Sequence, residues 1–378
     1  MKRLLTKVLL ITMVIALVMS VGIGCKATAA ATTAAAAATT AAAETTAAAA
    51  ETTAAPAKKL TIGRVMFEYG HPYQQADMKH FKDYADKLGV DTIILDGKSN
   101  PETISNNVDD LKAKKVDGII YQPVDPGSSD TISKASIEAG FPTITFFQRP
   151  GTFVAPHVRI DEAKTSYEMG ALAAKYMAEF FPGKPIKLGL IDISTVEYVV
   201  INRSDTFIAG LLSVAPDAEV VSRLDGGGIR DQSYAAGQDM LQSHPEINLV
   251  YGTNADCCLG ALAAFEAGGR GKAVDGKPVT EMFISIDGSE GEALKMIDPS
   301  SALKITMALQ PLYNSHVLMD TILKVVKGDI KITEDIIIDT PDIILDAYAM
   351  SIDDIQKFIT VDYLSKVDLK AELEKLKK

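Results

Sequence analysis

From Leu60 onward, short runs of β-branched and apolar residues alternate with longer stretches whose apolar positions recur every three or four residues. LTIGRVMF (60–67), DTIILD (91–96), VDGIIYQP (116–123) and FPTITFF (141–147) read as strands. Between them, Met78, Phe81, Tyr84, Ala85 and Leu88 lie at helical spacing and predict a helix over 73–88. Residues 101–115 predict a helix with Pro101 near its first turn, and 128–140 one stopped by Gly140. The rhythm restarts after residue 160. Helices are expected at 162–180, 203–214, 231–243, 256–267, 289–297 and 312–327, and strands at 186–193, 218–224, 247–253, 281–287 and 302–309.

Alternating strands and helices with continuous apolar strands imply parallel sheets covered by helices on both faces. A single sheet seldom needs this many strands, so the expected fold class is α/β with two doubly wound units. Ligands in such folds sit beyond the carboxyl ends of the strands. The residues to inspect are therefore Phe67, Gln122, Phe147 to Arg149, Asp192, Asn254, Asp287 and Gln310.

The first 57 residues follow other rules. Lys2, Arg3 and Lys7 precede an apolar run from Val8 to Val21, and small residues Gly22 and Gly24 stand just before Cys25. This is the pattern of a signal peptide over 1–24. The run is short for a stable span, which needs about 20 residues. A Cys directly after Ile23-Gly24 resembles a bacterial lipobox, with Gly22 where the usual pattern has Leu; the resemblance implies lipidation of Cys25. Residues 27–57 hold 19 Ala, 9 Thr, 2 Glu and 1 Pro. With no large side chain to bury, 25–57 reads as a lipidated Cys and a tether.

Composition follows from this division. The 47% hydrophobic content is inflated by the leader and the Ala-rich tether. The formal charge of −11 becomes −14 once three leader cations are removed, which argues against a nucleic-acid partner. Three Cys exclude a disulfide framework. Cys257 and Cys258 fall on an apolar stretch and read as buried core thiols. The five His show no HExxH and no ligand-pair spacing, so no metal site or cofactor is expected. Neither GGG (226–228) nor GGRG (268–271) fits a phosphate-loop pattern, and both read as loops. Asp275-Gly276-Lys277 reads as a turn. No GxSxG elbow or other catalytic constellation stands out, and the chain is not expected to be an enzyme.

Several segments carry a family resemblance. KDYADKLGVDTIILDGKSNPETISNNVDDLKAKKVDGIIYQPVDP (82–126), FPTITFFQRP (141–150), SHPEINLVYGTNADCCLGALAAF (243–265) and ISIDGSEGEALK (284–295) together resemble bacterial periplasmic sugar-binding proteins of the ribose/galactose-binding type. The resemblance implies two Rossmann-like lobes joined by three crossover strands, closing on a ligand by a hinge. It implies one lobe from 58–160 plus 311–340 and another from 161–310 plus 341–378. It also implies delivery of the ligand to an ABC import permease by an exported, membrane-anchored monomer.

Carried onto this sequence, the resemblance places His71, Tyr73 and Gln74 in the turn after the first strand. Gln122 falls where relatives often have Asn. Gln148 and Arg149 fall near an Asp-Arg pair, Arg203 at an R-x-x-x-F site, and Asn254 and Asp287 at matching positions. Gln310 competes with Leu309 for the last position. Phe67 and Phe147 are candidate stacking walls, since the chain has no Trp. Planar polar groups of this kind pair with vicinal hydroxyls two at a time while aromatic faces cover C–H surface, which suits a monosaccharide or polyol. Two readings stay open beside import: presentation of the ligand to a chemoreceptor or membrane kinase, and binding of a nucleoside by the same fold.

Overall fold

The computed structural model describes residues 58–152 and 155–377. The expected signal segment, Cys25 and the tether lie outside the described residues. Two six-stranded sheets organise the chain. In the first, the order is Ile337–Thr340, His157–Ile160, Thr143–Phe146, Gly118–Tyr121, Thr61–Met66 and Asp91–Asp96, all parallel. In the second it is Asp342–Asp346, Leu303–Leu309, Met282–Asp287, Leu249–Gly252, Lys187–Asp192 and Glu219–Asp225, with only the Asp342–Asp346 edge strand antiparallel. This is the doubly wound arrangement that the alternation predicts.

Each central strand is buried along its length, as in Met282–Asp287 and Leu303–Leu309, because helices cover both faces. Phe207 stacks on Tyr251 at 4.0 Å between ring centres, joining a helix to the second sheet. Cys257 and Cys258 are buried and unbridged in the helix Ala255–Ala267, as their apolar surroundings suggest. The chain passes between the sheets three times: after Ile160, after Leu309 and after Thr340. The helix Pro311–Lys327 then packs on Pro72–Leu88, beside the first sheet.

Beyond the unexpected strand His157–Ile160 and helices Ile352–Asp362 and Leu369–Leu376, the structure departs from the expected elements near residues 200, 341 and 275. The helix expected at 203–214 begins earlier, at Glu197, and opens into a π-helical stretch at Val200–Asp205 before Thr206–Val214. Such wide turns recur at functional sites. Strands Ile337–Thr340 and Asp342–Asp346 are separated by Pro341 alone, and each joins a different sheet. The turn expected at 275–277 closes a two-stranded hairpin, with Asp275 and Gly276 both at positive φ (50° and 78°).

Candidate functional site

Strand direction brings the carboxyl ends of the two sheets toward one cavity of about 250 Å³. From the first sheet's side it is lined by Phe67, Glu68, His71, Tyr73, Gln74, Gln122, Phe147 and Gln148. From the second come Thr195, Tyr198, Arg203, Gly228, Asn254 and Asp287. Ten of the twelve expected ligand residues meet here.

Arg149 and Gln310 do not line it, and both expectations are corrected. Arg149 turns outward to pair with Asp335 and remains 40% exposed. At this strand end Gln148 lines the cavity. Gln310 stands at a chain crossing, and Leu309, the last residue of its strand, lines the cavity instead.

The first-sheet face is aromatic and amide-rich. Tyr73 and Phe147 meet edge to face at 5.8 Å, and Phe147 meets Tyr198 in the same way from the other side. The Tyr73 hydroxyl accepts from Asn314 Nδ2 at 2.9 Å, which fixes the ring. Gln74 Nε2 donates to Gln122 Oε1 at 3.2 Å. Gln74 Oε1 and Gln148 Oε1 are buried without a partner. Such orphans are costly unless something donates to them, and both of these belong to residues that line the cavity.

The second-sheet face carries the charge. Asn254 caps the helix Ala255–Ala267 by accepting from Cys257 N at 2.7 Å, which turns its Nδ2 toward Gly228 O (3.3 Å) and His71 Nε2 (3.1 Å). Capping and cavity lining are thus one role, not alternatives. Asp287 accepts from Ala255 N at 2.8 Å and lies 3.3 Å from His71 Nε2. Burial pushes its carboxyl up to about 7, against the pull of Arg203. Burial also lowers the pKa of His71. Asp287 (φ 122°) and Phe147 (φ 61°) are non-glycine residues at positive φ, and both line the cavity. Strained backbone of this kind concentrates at functional sites. The helix after Asp287 is capped by Ser289, whose N–H donates to Glu292, so Asp287 is not needed as a cap.

Arg203 is 6% exposed and its partner is one the sequence reading missed. Its Nε and Nη2 donate to the two oxygens of Glu162 at 2.9 and 2.7 Å, and Nη1 donates to Thr253 O at 2.8 Å. Burial works against the guanidinium charge, but the Glu162 carboxylate outweighs it and holds the pKa above its ordinary value. Glu68 and Tyr198 were also missed. The useful signal was proximity to a strand end: Glu68 directly follows Phe67, and Tyr198 lies a few residues past Asp192. Asp192 itself turns away and binds Arg223 Nε at 2.8 Å. Among the described residues, no group of His, Cys, Asp and Glu is arranged to hold a metal ion.

Residues 62–329 match the family model described as "Periplasmic binding protein domain". Among curated proteins, the chain is similar to the ribose import binding protein RbsB of Bacillus subtilis, with 24% identity over 257 residues, spanning 67% of this chain and 77% of the relative. Among solved structures it resembles a galactofuranose binding protein (TM-score 0.67, 21% identity, 84% of this chain and 98% of that one). It also resembles a Caulobacter myo-inositol binding protein solved with myo-inositol (TM-score 0.66, 18% identity, 82% and 99% covered).

Proposed function

The chain belongs to the periplasmic binding protein family, and from that premise we propose that it is an extracytoplasmic receptor that captures a sugar or polyol and delivers it to an ABC import permease. Residues 58–160 with 311–340 form one lobe, and 161–310 with 341–378 the other. The cavity is the cleft between them. Cys25 carries the lipid that holds a monomeric receptor at the membrane, and residues 27–57 give the lobes reach. Among the described residues no helix is long and apolar enough to cross a membrane.

The observation that carries this reading is the cavity's chemistry. Two buried amide oxygens without partners, a helix-capping Asn, a buried carboxyl and an arginine converge with four aromatic rings in about 250 Å³. Hydroxyls that both donate and accept suit the polar groups, and C–H faces suit the rings. Closure over the ligand changes the surface offered to the permease, so only the loaded form delivers.

A thermal-shift panel of monosaccharides, polyols and nucleosides on the purified chain tests it. A ligand at a hundred times its Kd adds roughly 2.7 kcal/mol of stability. A shift with nucleosides and none with any sugar or polyol would overturn the assignment.

A further inference from the structure

We infer that Glu162 sets the charge selectivity of the cavity: by occupying Arg203 from behind, it makes the receptor accept uncharged sugars and reject their carboxylate analogues. The inference rests on the sugar-receptor reading and deepens it. Glu162 does not line the cavity and is 0% exposed, and the cavity residue it grips is Arg203. It is a positioning residue for that side chain.

The geometry carries this in three steps. A guanidinium has five N–H donors in a fixed fork. Glu162 takes one from Nε and one from Nη2, and Thr253 O takes one from Nη1. Two donors remain, one on each terminal nitrogen, and these suit hydroxyl or ring oxygens of a neutral ligand. The side-on edge, Nε with Nη2, is already filled by a carboxylate, so what the cavity meets is two N–H donors on a cation whose charge is compensated.

Charge points the same way. Among the described residues, Arg203 is the one Lys or Arg side chain on the cavity wall, and Glu162 neutralises it at 2.7 Å. Glu68 and Asp287 also line the wall. An anionic ligand would therefore meet one compensated cation, the Glu68 carboxylate, and the Asp287 carboxyl wherever it has lost its proton, all within one small cavity. Like charges brought together in such a space are strongly disfavoured.

The position of Glu162 explains why it can do this. It is the first residue of the helix Glu162–Phe180, just after the chain leaves the first sheet at Ile160. The carboxylate is thus fixed by the backbone of a chain crossing, and it reaches an arginine on a π-helical turn 41 residues later.

Calorimetric titration of the purified chain tests the assignment. Ribose, glucose, galactose and myo-inositol are compared with carboxylate analogues of the same rings, in wild type, Glu162→Gln, Glu162→Asp and the double variant Glu162→Gln/Arg203→Met. Wild type is expected to bind a neutral compound and to discriminate against its carboxylate partner by about tenfold or more. Glu162→Gln keeps the shape, frees charge on Arg203 and narrows that ratio by about tenfold. Glu162→Asp restores discrimination, and the double variant loses the gain for carboxylates. Wild type binding a carboxylate analogue as tightly as its neutral partner would overturn the inference and leave the receptor reading standing. So would an unchanged ratio in Glu162→Gln, with both affinities falling together, since that is what loss of structure alone produces. Failure of every compound to bind wild type would overturn the receptor reading and this inference with it.

Discussion

The two walls of the cleft are built from different chemistry. The wall from the first sheet offers Gln74, Gln122 and Gln148 among Phe67, Tyr73 and Phe147. The wall from the second offers Arg203, Asn254 and Asp287, with Tyr198 as its aromatic. Neutral amides pay little for desolvation and bind modestly. Buried charges cost more to desolvate and make stronger hydrogen bonds once paired. The contrast implies a division of labour: the amide wall shapes and holds the ligand's surface, while the charged wall supplies most of the binding strength. Two contacts join the walls among those described: His71 reaches Asn254 and Asp287 from the start of the helix Pro72–Leu88, and Phe147 meets Tyr198 edge to face.

The sharpest break in the comparison comes at Arg203. Arg203→Ala leaves the Glu162 carboxylate buried and unpaired, which is expected to cost about 3–5 kcal/mol of stability as well as ligand binding. Replacing both partners with apolar residues of similar volume, as in Glu162→Leu/Arg203→Met, restores most of the stability but not the binding. Urea unfolding midpoints beside calorimetric titration separate the two effects. Equal stability loss in the single and double variants would show that the pair is not the reason.

Asp287 gives the next largest effect. Asp287→Asn removes a charged acceptor and is expected to weaken binding by about 1.5–3 kcal/mol, or roughly ten- to a hundredfold. Its effect on the empty protein has the opposite sign. The folded pKa is raised to about 7 from an ordinary value of 3.8, so the folded state holds a proton that the unfolded state has lost in that window. The stability associated with the protonated carboxyl is present below about pH 4 and is lost as pH rises toward 7. Ligand-free Asp287→Asn should therefore gain on wild type between pH 4 and 7, and the gap should level off above that range. A gap that shrinks as pH rises would contradict burial as the dominant cause.

The amide wall should respond more gently. Gln74→Ala or Gln122→Ala is expected to cost about 0.5–1.5 kcal/mol of binding, a roughly two- to twelvefold rise in Kd, with little dependence on salt. A loss as large as that from Asp287→Asn would dissolve the contrast between the walls.

How much of this was legible beforehand follows from sequence distance. Strand–helix alternation is a local pattern, and it placed the strand ends that carry Gln122, Asn254 and Asp287. Asn254 and Asp287 were also visible because each directly precedes a local signal, a helix start and a glycine at φ 77°. Glu162 was not, because its role depends on a contact spanning 41 residues between two helices. The acidic residues near Arg203 along the chain are Glu197 and Asp205, and neither is its partner in the cavity wall. Tyr198 escaped notice because the turn it occupies follows no regular period. The strands around Pro341 carry no local signal: IIIDT-P-DIILD reads as one extended run, and the division at 340 came from the family resemblance rather than from the pattern.

The smallest expected effect is the most discriminating for the register of the site. Arg149 and Gln310 were candidates because sequence alone could not choose between adjacent residues at two strand ends. The geometry beyond the strand ends chooses: the strands stop at Phe146 and Leu309, and Phe147 turns the chain at φ 61°. Gln148 and Leu309 face the cavity, while Arg149 pairs with Asp335 at the surface. Exposed pairs of that kind contribute about 0–1 kcal/mol. Arg149→Ala and Gln310→Ala should each leave the Kd within about twofold of wild type and shift stability by about 0.5 kcal/mol or less. Gln148→Ala, one residue away, should weaken binding as the other amides do. A tenfold loss from Arg149→Ala with none from Gln148→Ala would reverse the register at this strand end and move a positive charge onto the amide wall.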